Sequence, residues 1–228
     1  MTELPDPISR RDRQRQTREA LVLAARAVFA EVGYHAASLD QIARQAGFSK
    51  GAVYSNFENK AALFLAVVDL NIDTALSEGG WDVFEAPESP DLSDEESVQL
   101  GEAMTGFALA TLEFIAYAAR DERLKAEMGR RIEVLTVMYT EMARAARAEG
   151  DPLSAEDLGV LLTALDQGSG LLVLAGGVPL EPRVLRTGMR RLLDPARAGE
   201  PVGDDAGGTG LHDREVQRRI ADALRGLR

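Results

Sequence analysis

The amino-acid sequence predicts an all-α protein: an N-terminal three-helix domain followed by a C-terminal helical bundle. Three observations carry this. Apolar residues recur at helical spacing along most of the chain, and no alternating strand pattern competes with them. The breaks between these runs carry glycines and Ser, Asn or Asp caps. With 228 residues, 45% of them hydrophobic, the chain can bury a core without disulfides, and it has no cysteine.

Residues 1–16 are polar and hold Pro5 and Pro7, then Arg10, Arg11, Arg13 and Arg15, with Arg18 just beyond. They read as a flexible basic arm running into a helix, or as a solvated terminus without a role. No secretory signal is expected, because no apolar run follows the basic residues. A first helix spans about Thr17 to Val32, with Leu21, Ala24, Ala25, Val28, Phe29 and Val32 on one face, and Gly33 stops it. Ser38 and Gln41 form a capping box for a second helix, Leu39 to Ala46, ended by Gly47. Ser49 caps a third, Lys50 to Asn56. Asn59 caps a fourth, which runs from Lys60 towards Asn71 and carries Leu63, Phe64, Val67 and Val68. Residues 77–93 read as a loop anchored by Trp81 and Phe84. Helical patterns follow at 94–119, 122–148, 154–175 and 182–193. Residues 194–210 read as a linker and 211–228 as a short amphipathic tail. The expected divisions are thus 1–16, 17–65, 66–193 and 194–228.

The net charge of −11 hides an asymmetry. Residues 1–60 hold nine Lys/Arg against seven Asp/Glu, whereas 61–119 hold twelve acids and no Lys or Arg. A polyanion is tolerated only by the first segment. Enzyme chemistry finds little support. The two histidines, His35 and His212, lie far apart in the chain. There is no Glu-x-x-His pair, phosphate loop or nucleophile motif, and no cofactor or metal is expected. The longest apolar stretch, Gly159 to Val178, carries Asp166 and Gln167 at its middle. A buried interface helix explains it better than a membrane span, and a cytoplasmic protein is expected.

Two short helices joined by a tight turn, Leu39 to Asn56, are the geometry that offers a helix to the major groove. Ile42, Ala43 and Ala46 face inward, Phe48 and Val53 fill the space beneath, and Phe57 packs towards the first helix. The stretches "REALVLAARAVFAEVGYHAAS" and "SLDQIARQAGFSKGAVYSNFENKAALF" resemble the TetR family of one-component regulators over about residues 17–65. Gly33, Ile42, Ala43, Gly47, Tyr54, Phe57 and Lys60 all fall at the family's spacing. The resemblance implies a repressor that binds double-stranded operator DNA as a homodimer and is released by a small effector. It implies that Lys50, Gly51 and Tyr54 approach base edges. Ser38, Ser49, Asn56 and Lys60 are then placed for phosphate oxygens. Family members often carry Thr where this chain has Ala52, so no phosphate contact is expected there. Tyr54 has an alternative role in packing against the first helix, and Lys60 as a solvated surface charge. An activator, an architectural DNA-binding protein and a helical-bundle enzyme are the competing readings.

For the body, the resemblance implies sensing and dimerisation. The expected interface is the helices at 154–175 and 182–193, through Leu161, Leu162, Leu165, Leu172 and Leu174. Met104, Phe107, Thr111, Phe114 and Tyr117 on one helix, and Met138, Tyr139 and Met142 on the next, form either a pocket for an apolar or amphipathic effector or plain core. Asp166 is the one charge in the apolar stretch Gly159 to Val178. It pairs with an arginine, caps a polar network at the interface, or meets a ligand, in that order of expectation. The absence of cations from 61–119 argues against an acidic effector.

Overall fold

The computed structural model describes residues 9–77, 94–176 and 182–196. Among these the chain forms eight helices and no strand: α1 (Arg10–Ala36), α2 (Leu39–Gln45), α3 (Lys50–Asn56), α4 (Lys60–Ser77), α5 (Asp94–Ala118), α6 (Glu122–Ala146), α7 (Ala155–Ala175) and α8 (Pro182–Leu193). The expected loop anchored by Trp81 and Phe84, most of the linker and the amphipathic tail lie outside the described residues.

Two boundaries differ from the sequence reading. α1 begins seven residues earlier than expected, so Arg10 to Arg15 ride on helix and not on an arm. The reason is local. The side chain of Ser9 accepts from the Asp12 N–H as an N-cap, and Arg15 pairs with Asp12 and Glu19 one turn either way. α4 also runs past Asn71 to Ser77, because Leu70 and Ile72 keep packing on the core. It passes unbroken through the expected boundary at 65/66.

Gly33 is non-helical within α1, at φ 79° and ψ 172°, and Gly47 takes φ 71° in the turn between α2 and α3. Both are left-handed positions that glycine occupies without strain. Three serines, Asn59 and Asp121 cap the starts of α2, α3, α4, α6 and α7, with Asn59 accepting from the Ala62 N–H. The side chains of Ser38 and Ser49 accept from Gln41 and Ala52, and Asp121 accepts from Arg123 and Leu124. Ser154 and Asp157 form a reciprocal box at α7.

The core has two parts. The first joins α1 to α6 around Leu21, Phe29, Ile42, Val53, Phe64 and Phe114, all but excluded from solvent. Its aromatics interlock: Phe64 lies 4.5 Å from Phe114 and 5.0 Å from Phe29, centroid to centroid. The second joins α6, α7 and α8 through Tyr139, Leu158, Leu162, Met189 and Leu193. Two glycines set the closest helix crossings. A Cβ on Gly106 would stand 2.0 Å from the Ala30 carbonyl oxygen, and one on Gly159 would stand 2.1 Å from Thr140 Oγ1. α5 therefore lies directly on α1, and α7 on α6. Among the described residues no helix is long and apolar enough to cross a membrane.

Candidate nucleic-acid interface

The helix-turn-helix unit forms as its residue types require. Ile42 and Ala43 of α2 and Val53 of α3 are buried against α1. Phe57, buried, ends the unit and carries the Arg18 guanidinium 4.3 Å above its ring. Arg18 also donates to the Asn56 carbonyl at 3.0 Å, which ties α1 to the end of α3. Phe48, expected beneath the unit, is instead 37% exposed. It follows the left-handed Gly47, and only its N–H turns back, to the Ala43 carbonyl.

The outer face of α3 carries Lys50, Gly51 and Tyr54, all exposed. Lys50 Nζ donates to Asp40 at 2.8 Å, which raises its pKa, and sits 5.9 Å over the Tyr54 ring. One carboxylate uses one of three ammonium donors, so the head keeps capacity for a base edge. Tyr54 is 52% exposed, which sets aside the packing alternative. Gly51 has ordinary helical φ, and a Cβ there would meet only Ser49 Oγ at 3.7 Å. Neither conformation nor packing within the chain calls for glycine at this position. Ser38 and Ser49 each use an oxygen lone pair as a cap, which leaves the hydroxyl proton for a phosphate oxygen.

Two expected phosphate ligands are otherwise engaged. Lys60 Nζ donates to the carbonyls of Tyr34 (2.7 Å), His35 (3.0 Å) and Ala37 (2.8 Å), and lies 4.7 Å over the Tyr34 ring. All three of its N–H bonds are used within the chain, so it is not a solvated surface charge. The carbonyls left open by the break at Gly33 draw it inward, and burial lowers its pKa, partly offset by Glu113. The side-chain amide of Asn56 likewise donates inward, to Ala52 O at 2.8 Å and Ser55 Oγ at 3.4 Å.

In the body, a cavity of about 240 Å³ opens between α1, α4, α5 and α7. Of the residues expected in a pocket, Met104, Phe107, Thr111 and Asp166 line it. The others go elsewhere. Phe114 is central core. Tyr117, 44% exposed, lies against Tyr34. Met138, Tyr139 and Met142 belong to the core between α6, α7 and α8. Asp166 is buried and accepts from Gln167 at 2.8 Å and from the Tyr139 hydroxyl, whose pKa is raised by burial and then by that carboxylate. Its partners are thus a polar network rather than the arginine expected first. Arg26 of α1 also lines the cavity. The signal for it in the sequence is a lone charge within the apolar run Leu21 to Ala30. Glu113, likewise not singled out, accepts from the His35 N–H at 2.9 Å beside Gly33.

On α7 the expected interface leucines divide by face. Leu161, Leu165 and Leu172 form an exposed stripe, Leu162 is core, and Leu174 lines the cavity.

The model of bacterial regulatory proteins of the tetR family matches residues 21–67. The transcriptional activator FasR of Mycolicibacterium smegmatis is 44% identical over 62 residues, 27% of this chain and 28% of that protein. The transcriptional repressor BepR of Brucella suis is 43% identical over 53 residues, 23% and 25% of the two chains. The regulator UidR of Escherichia coli is 27% identical over 135 residues, 59% and 68%. The chain thus spans about a quarter of the first two curated relatives. Among solved structures, Salmonella enterica GusR superposes with a TM-score of 0.55 at 21% identity, covering 82% of this chain and 97% of that one. A TetR-family regulator from Rhodococcus sp. gives 0.54 at 19%, covering 77% and 95%. These structures share the fold, and the family-model match falls on α1 to α4.

Proposed function

Since the chain belongs to the tetR family of bacterial regulatory proteins, we propose that it is a sequence-specific repressor that binds operator DNA as a homodimer and is released by a small effector. The observation that carries the DNA reading is the outer face of α3. Lys50 and Tyr54 flank a glycine that the chain's own packing does not require. Such a glycine lets backbone approach a groove, with Lys50 donating to guanine O6 or N7 and Tyr54 offering its ring to a thymine methyl. Ser38 and Ser49 then donate to phosphates on either side. The cavity between α1, α4, α5 and α7 supports the effector reading, and its mixed apolar and polar lining suits a small amphipathic molecule. The protein acts in the cytoplasm, where the DNA is.

Footprinting on the genomic DNA of the producing organism tests this. A short, two-fold symmetric protected site, bound by a dimer, is expected. Broad, sequence-independent protection would replace the regulator with an architectural protein. The similarity to FasR, named an activator, favours activation as a second reading, since BepR, named a repressor, is similar to nearly the same degree. A reporter placed behind the mapped site separates the two by the direction of its response.

A further inference from the structure

Arg26, half-buried, lines the cavity from α1. Among the described residues, no carboxylate or hydrogen-bond acceptor engages it. Its one contact of note is the face of Phe107, 5.9 Å from the guanidinium carbon. Burial lowers its pKa to about 10 with nothing to offset that, so it stays a cation at neutral pH. Asp166 lines the same cavity from α7, but its oxygens accept from Gln167 and Tyr139 and not from Arg26. Met104, Phe107, Ile115 and Leu171 line the same cavity, with Asn71 as a further polar residue.

A half-buried guanidinium without a partner in the chain costs stability, because part of its hydration is lost and no hydrogen bond from the chain replaces it. Its planar fork matches a carboxylate in bidentate fashion. We propose that the cavity binds an amphipathic carboxylate, with the anionic head on Arg26 and the apolar body among Met104, Phe107, Ile115 and Leu171. This rests on the effector reading above and names the chemical class of that effector. A singly charged head suits the site, since the surrounding apolar walls make a second charge expensive to desolvate. The cation comes from α1, outside the acidic segment 61–119, so the absence of Lys and Arg there does not exclude an acidic ligand.

The test is calorimetric titration of the full-length protein with octanoate and with 3-phenylpropanoate, each compared with its neutral primary amide. At least one acid is expected to bind roughly 10-fold or more tightly than its amide, about 1.4 kcal/mol. Arg26→Gln should abolish that preference, Arg26→Lys should retain part of it, and Arg26→Gln should melt higher than the parent without ligand. No preference for acid over amide in the parent protein would overturn the proposal. So would a preference that survives Arg26→Gln. The acid–amide comparison in the parent needs no variant to fold. Site-specific DNA binding by the same preparation is read separately, so failure of the regulator reading leaves the carboxylate result standing or falling by itself.

Discussion

Lys60 and Lys50 have the same side chain and opposite fates. Lys60 spends all three donors on the carbonyls of Tyr34, His35 and Ala37, whereas Lys50 stands on the outer face of α3 with one exposed partner, Asp40. Lys60→Ala should therefore cost about 2 kcal/mol of folding stability, because it strands carbonyls at the Gly33 break. It should leave the salt dependence of DNA binding unchanged. Denaturant melts and a salt titration of operator affinity check both. A salt slope reduced in magnitude by about 1 would return Lys60 to the phosphate backbone. The difference between the two lysines could not be read from spacing. The family pattern marks Lys60 as important, but which atoms it meets depends on how the chain turns after Gly33 and brings three carbonyls to one point. Arg26 was hidden for a related reason. Its neighbours in sequence are apolar, so it looks like a tolerated surface charge until α5 and α7 close around it.

At the scale of helices, most of the architecture was legible. Periodicity located α2, α3 and α5 to α8 to within two residues, helped at α2 and α3 by residues with a clear local preference, Ser38, Gly47 and Ser49. The miss at α1 came from weighing the prolines and arginines of the terminus above Ser9, whose cap restarts the helix count. What periodicity cannot give is the distance between helices. Gly106 and Gly159 look unremarkable in sequence, yet a Cβ at either would meet the neighbouring helix at about 2 Å. Gly106→Ala should destabilise by about 1–3 kcal/mol, since α5 must lift off α1. Gly51→Ala should leave the melting temperature unchanged or higher, because the site has room and alanine favours helix, while operator affinity falls. Thermal melts of the two variants beside a DNA-binding assay check the contrast. Equal stability loss in both would mean that Gly51 serves the fold.

The exposed stripe on α7 belongs to the assembled molecule. Leu161, Leu165 and Leu172 are each about 40% exposed along one face, and Gly168 leaves open space beside them. Leu165→Glu should convert the proposed dimer to a monomer in sedimentation and weaken operator binding, because two half-sites about one helical turn apart, ~34 Å, would no longer be read together. An unchanged dimer would move the interface to another face.

Coupling between cavity and DNA is also a property of the whole molecule, and α5 suggests its route. Met104, Phe107, Thr111 and Leu112 of α5 line the cavity. One residue beyond Leu112, Glu113 accepts from the His35 N–H at 2.9 Å and presses against Gly33, next to the carbonyls that hold Lys60 at the start of α4. A ligand that shifts α5 therefore moves the hinge joining α1 to the helix-turn-helix, in addition to any tilt it imposes on α4. Such a ligand can change DNA affinity only by its own difference in affinity for the two arrangements, typically about 1–3 kcal/mol, and operator DNA must weaken the ligand by the same factor. Glu113→Gln keeps the size of the side chain but weakens the bond to His35, since a neutral acceptor replaces a charged one. It should leave ligand affinity without DNA nearly intact and shrink the factor by which saturating operator lowers it. Ligand titrations of both proteins, with and without operator, measure that factor. A Glu113→Gln protein with the parent's full factor would show that the signal travels through α4 alone.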